Sequence, residues 1–187
     1  MQAAYYIIIL IVAALAVVYI YFYNRMMKYS NAADAGLGQI KVAMKKRLDL
    51  VEQLLGAVKG YMKHEREIFE RIARLRAGVE EAEPENLNNI DKESREIVNN
   101  LLAVAEAYPE LKASENVIKL MDTIVNVEDE IARQRYTYNN IVQEYNTMIQ
   151  TIPSNMVAAT IQAKKLKYLE FEEAISRAPD VKVPPYG

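Results

Sequence analysis

The sequence predicts an all-α protein, an N-terminal transmembrane helix followed by an elongated antiparallel four-helix bundle. Three observations predict it. Residues 3–22, AAYYIIILIVAALAVVYIYF, carry no charge and as helix would span about 30 Å, one hydrocarbon core. From Met44 onward the apolar residues recur at helical spacing. No segment alternates at period two for long enough to form a strand.

Composition narrows the function classes. The chain has 187 residues and a net charge of −2, with Lys+Arg 23 against Asp+Glu 25. Such a balance argues against a nucleic-acid binder, which needs a basic excess to displace counterions. The length suits one domain with a good core. With no cysteine present, disulfides, thiolate zinc sites and cysteine nucleophiles are excluded, which fits a reducing compartment.

Residues 1–24 form the anchor. Tyr5 and Tyr6 stand at one end and Tyr19, Tyr21 and Tyr23 at the other, as interfacial belts do. Ala14-Leu15-Ala16 resembles a signal-peptide cleavage site. No basic residue precedes the apolar run, however, and the run continues past that site, which argues for a retained anchor. Arg25 and Lys28 follow the span. The positive-inside rule then places the rest of the chain on the cytoplasmic side of the cell membrane.

Residues 25–43 are a neck. Its small-residue stretch SNAADAGLG (30–38) is either flexible or a helix surface packed closely on a neighbour. Residues 44–177 form the bundle domain, beginning with a helix over 44–82. Taking Met44 as heptad position a puts Val51, Val58, Glu65, Ile72 and Val79 in the same column. Column d holds Arg47, Leu54, Tyr61, Ile68 and Leu75, and column e holds Leu48, Leu55, Met62, Phe69 and Arg76. Three adjacent apolar columns make a stripe wider than a two-stranded coiled-coil seam, so this helix should pack on at least two others.

Pro84 and the asparagines of EAEPENLNN (81–89) mark a turn. A second helix follows over 89–107 and ends at Tyr108-Pro109. Ser114 suits the N-cap of a long third helix over 114–151. Its seven-residue column is Val117, Ile124, Ile131, Tyr138, Tyr145 and Ile152. Pro153-Ser154 stops that helix and starts a fourth, running to about Arg177. The tail, 178–187, is too proline-rich to continue the helix and is expected to be extended or disordered.

These residues resemble the LemA family. KKRLDLVEQLLGAVKGYMKHE (45–65), AVAEAYPELKASEN (103–116) and VEDEIARQRYTYNNIVQEYNTMIQTIPSN (127–155) look like three of its signatures. The resemblance implies a membrane-anchored helical bundle. Members are often encoded beside a membrane zinc protease, which hints at a membrane protease or another envelope protein as partner. Three departures stand out. The neck has Ala35-Gly36 where the family usually has Ala-Trp. Glu52-Gln53 replaces a common Pro-Asn pair, so this helix should run straight. Gly56 stands where the family usually has a larger residue, whereas Gly60 matches.

Candidate sites are few. His64-Glu65 begins a zinc-site pattern, but the second histidine that it needs is missing from the chain. No metal or cofactor is expected. Without a Gly-rich phosphate loop, and with one histidine, no catalytic residues are assigned.

Glu65 falls in a core column, where a buried ion pair, with Arg135 as the candidate partner, is favoured over a catalytic carboxylate. Arg135, Asn139 and Asn146 share one face of the third helix. They read as polar core residues that set register or, alternatively, as a ligand pocket. Gly56 and Gly60 lie opposite the apolar stripe, bordered by Asp49, Gln53, Lys63 and Glu67. That dent is either a contact face for another helix or a tolerated pair of surface glycines, and continuous apolar columns on both sides argue against a kink.

The function expected is that of a single-pass membrane scaffold or adaptor, a homo-oligomer acting through protein partners and not an enzyme. The alternative is a membrane-anchored signalling or ligand-sensing module using the Arg135, Asn139 and Asn146 cluster.

Overall fold

The computed structural model describes residues 1–62 and 64–169. Helix α1 runs unbroken over Gln2–Val58. Residues 3–21 of it are apolar and exposed, and the helix is long enough to cross a membrane. The neck is part of this helix, with Ala33 buried and Gly36 against the Tyr138 ring. Small residues there let a neighbouring helix approach closely. The helix passes through Glu52-Gln53 without interruption.

The predicted helix over 44–82 is two helices. Helix α1 ends at Val58, a 3-10 turn occupies Lys59–Tyr61, and Met62 is extended. Helix α2, Glu65–Glu81, then folds back along α1. Arg76 pairs with Asp49 and with Glu52 (3.3 Å), and Lys45 with Glu80 (3.0 Å), which shows the antiparallel register. The Tyr61 ring lies 4.7 Å from that of Tyr108, and its hydroxyl donates to Glu110 (3.0 Å), holding the turn. Continuous heptad columns thus concealed a hairpin, because Ile72, Leu75 and Val79 keep helical spacing whichever way their helix points.

Helix α3 spans Pro84–Ala107. Pro84 starts it instead of lying in a turn ahead of it, since the first helical position needs no N–H partner. A short helix α4, Pro109–Lys112, leads into α5, Glu115–Met148, with Ser114 at its N-cap position. Val117, Ile124, Ile131, Tyr138 and Tyr145 of the seven-residue column are buried. Ile152 is not, because the helix has ended and the residue is 83% exposed.

Helices α1, α2, α3 and α5 run up, down, up and down, which makes the four-helix bundle. The predicted fourth helix, which began at Ser154, is not a member. It stops at Thr160 (α6, Ser154–Thr160), and residues 163–169, the strap, form no regular secondary structure. Its further course to Arg177 and the tail 178–187 lie outside the described residues.

Helix α2 occupies the place that a fourth core helix would have filled. Nearer the anchor, where α2 and α3 do not reach, α1 and α5 are covered by α6 and the strap. Leu169 belongs to the main core, while Val157 and Ala158 join Met26, Tyr145 and Met148 in a second, anchor-proximal cluster.

Candidate functional site

Charged side chains occupy the middle of the bundle. Arg47 on α1 is completely buried and bridges two carboxylates, with Nη2 2.8 Å from Asp91 Oδ1 and Nη1 2.8 Å from Glu128 Oε1. From α5, Arg135 donates to the other Asp91 oxygen (2.9 Å) and to Asn88 Oδ1 (3.3 Å). Arg95 forms ion pairs with Asp91 (3.2 Å) and Glu128 (3.4 Å). The two carboxylates therefore tie three helices together through three guanidinium groups. Buried charges carry a desolvation cost of several kcal/mol each, so such a network persists only with this degree of mutual pairing.

Around Asp91 and Arg135 the network leaves little space. The cavity beside Asp91 and Arg135, closed by Ile40, Met44, Leu87, Asn88 and Leu169, holds about 10 Å³. That is roughly enough for one water molecule. A metabolite does not fit there.

The two asparagines of the same helix face do something else. The Asn146 side-chain amide donates to Leu166 O (2.9 Å) and accepts from Leu166 N (2.9 Å). Asn139 does the same with Leu169, at 2.7 and 2.9 Å. Seven residues of helix rise about 10.5 Å, and three residues of extended chain cover about 10 Å. The spacings match, so two amides clamp the strap as a neighbouring strand would.

Between them the Tyr138 hydroxyl donates to Lys167 O (3.0 Å). Burial, then the negative charges of Asp34 and Glu83, push the Tyr138 phenol up to about 12. It therefore remains a donor at any physiological pH.

Several sequence expectations change here. Glu65 is exposed at the start of α2, far from a core column, because the chain has turned before it. The partner of Arg135 is Asp91. Arg135, Asn139 and Asn146 share a helix face, but the arginine serves the ion network and the asparagines serve the strap.

The residues of the expected contact face are divided among the elements of the α1–α2 hairpin. Asp49, Gln53 and Gly56 are on α1, Gly60 is in the turn and Glu67 is on α2. Lys63 lies outside the described residues. Asp49 is engaged by Arg76. Gly56 instead lines a shallow groove with Glu52, Leu55, Lys59, Glu65, Arg66 and Phe69, and Phe69 is 51% exposed.

Arg47, Asp91, Arg95 and Glu128 were missed. A signal existed for three of them. Arg47 stands in apolar column d, Asp91 shares a seven-residue column with Val98 and Ala105, and Glu128 shares one with Met121, Arg135 and Val142. A charge inside an apolar column invites a search for its complement on another helix.

A family model described as the LemA family matches residues 36–183. Protein LemA of Metamycoplasma hominis is 25% identical over 158 residues, 83% of this chain and 72% of that protein. Magnetosome protein MamQ 2 of Paramagnetospirillum magneticum is 32% identical over 74 residues, 40% of this chain and 27% of its own length. Magnetosome protein MamQ of Magnetospirillum gryphiswaldense is 28% identical over a stretch of the same size, again 27% of its length. The chain thus spans about a quarter of these two MamQ proteins.

Proposed function

Since this chain belongs to the LemA family and carries an apolar helix able to cross a bilayer, we propose that it is a single-pass membrane-anchored scaffold or adaptor. The observation that carries this reading is the continuity of α1. One helix serves as both the anchor and a core strut of the bundle. A helix rises 1.5 Å per residue, so the 36 residues from Phe22 to Val58 hold the far end about 54 Å from the span. Such a strut presents a surface at a set height above the membrane.

The ion network supports a structural role in the same way. It locks α1, α3 and α5 in register and fills the space around Arg135, where the ligand-sensing alternative would need a pocket. The cavity of about 10 Å³ weighs against the ligand-sensing alternative, and the reading is non-enzymatic.

Arg25 and Lys28 beside the span support a cytoplasmic bundle. Self-association is assigned to the groove between Gly56 and Phe69. Its walls carry both signs, Glu52 and Glu65 against Lys59 and Arg66, which a second copy of the chain can complement.

Crosslinking with mass spectrometry in native membranes, together with particle size in mild detergent, tests the reading. Crosslinks between copies, or to a membrane protease or another envelope protein, support it. A monomer without crosslinked partners would sink it. Protease added to intact spheroplasts should spare the bundle, and its digestion without lysis would reverse the orientation.

A further inference from the structure

The span of α1 sets the depth of a second element. The Tyr19 hydroxyl lies 3.0 Å from that of Thr160 at the end of α6. Tyr19 precedes Arg25, the first charged residue of α1, by six positions, or about 9 Å of helix. Phe22 and Ile161 pack into one cluster with Met26, Tyr145 and Met148. The corner made by the end of α5, α6 and the start of the strap therefore reaches below the first charge of the anchor, to the level of its tyrosine belt.

The composition of that corner fits the depth. Residues 145–163, YNTMIQTIPSNMVAATIQA, include no charged side chain. Ile152 is 83% exposed and Met156 70% exposed. Both large apolar side chains stand in this charge-free stretch, and the interfacial layer of a bilayer accommodates such a surface.

Charges bound the corner on the bundle side. Lys164 and Lys165 are exposed and just precede Leu166, which Asn146 pins near the level of Met26. They stand near the level of Arg25 and Lys28, and Glu144 is one step farther from the anchor along α5.

We propose that residues 150–162 are a second membrane contact, with Ile152 and Met156 inserted into the interface of the leaflet that α1 leaves. Lys164 and Lys165, with Arg25 and Lys28, meet anionic lipid headgroups. The bundle is then held to the bilayer at two points, which fixes its tilt and not only its height. The inference rests on the anchor reading, and its test separates the two.

The chain has no tryptophan, so one introduced residue reports its own depth. The full chain would be reconstituted in phosphatidylcholine–phosphatidylglycerol vesicles with brominated acyl chains. Ile152→Trp and Met156→Trp should lose most of their fluorescence and emit to the blue of Val125→Trp, an exposed site on α5 within the bundle. Leu10→Trp, in the anchor, marks full insertion.

If the two corner sites emit and quench like Val125→Trp while Leu10→Trp is quenched, the second contact is overturned and the anchor stands. If Leu10→Trp is itself unquenched, both fall. Should a tryptophan variant lose helicity, a nitroxide on a single introduced cysteine at 152 or 156 gives the same answer. Inserted sites should favour oxygen over a water-soluble nickel chelate, and the reverse order overturns the proposal.

Discussion

Arg47 and Asp91 meet at 2.8 Å in the centre of the bundle, the arginine wholly buried and the aspartate shared with Arg135. Removing one member of a buried ion pair leaves its partner uncompensated and costs about 3–5 kcal/mol. Asp91→Asn should therefore lower stability by about that much, measured by chemical unfolding of the detergent-solubilised chain. Glu65→Gln, at an exposed site, should change it by less than about 0.5 kcal/mol. Equal effects from the two substitutions would show that the network is not structural.

The asparagine clamp predicts a local effect. Asn139→Ala or Asn146→Ala removes both side-chain bonds to one strap residue, about 1–3 kcal/mol of local stability. Amide exchange at Leu166 and Leu169 should speed up, while the protection of α1 and α5 is kept. Unchanged exchange at those two amides would mean that apolar packing alone holds the strap.

Alkaline pH should release the same strap. The folded Tyr138 phenol titrates at about 12 against an ordinary value of 10. Its protonated form is thus favoured by folding. The contribution is complete below pH 10 and is lost as pH rises through about 12. Tyr138→Phe should flatten that part of the stability profile. An unaltered profile would count against the Tyr138 bond to Lys167.

Gly56 is exposed in the last turns of α1, and a Cβ there would meet open space. Gly56→Ala should stabilise the chain by roughly 0.5–1 kcal/mol, since glycine loses more backbone freedom on folding. Gly56→Leu should keep helicity but reduce crosslinking between copies if the groove beside Phe69 receives a second chain. Stabilisation with crosslinking unchanged would leave Gly56 a tolerated surface glycine.

Much of the helical content was legible because it is local. The charge-free run of residues 3–22, Tyr108-Pro109 as a stop and Ser114 as a start each act through their own backbone and neighbours. The column Val117, Ile124, Ile131, Tyr138 and Tyr145 identified the buried face of α5 for the same reason. Arg135 and Asn146 were recognisable as buried polar residues from their place beside that column.

What the sequence determined by itself was an apolar helix followed by amphipathic helices with polar residues in their stripes. Only the tertiary structure decided how those helices are cut and joined. Helix α5 begins beside the end of α1, so a straight helix over 44–82 would leave Ile72, Leu75 and Val79 without a covering neighbour. Folding back at Lys59–Tyr61 buries them against α1. With α2 in that place, the chain after Thr160 covers the remaining α1–α5 seam as a strap. Asn139 and Asn146 satisfy backbone groups that a helix would have satisfied internally. The partners of Arg47 and Arg135 were illegible for the same reason. Ion pairs between helices depend on which side chains face one another across the bundle, and periodicity along one helix carries no record of that.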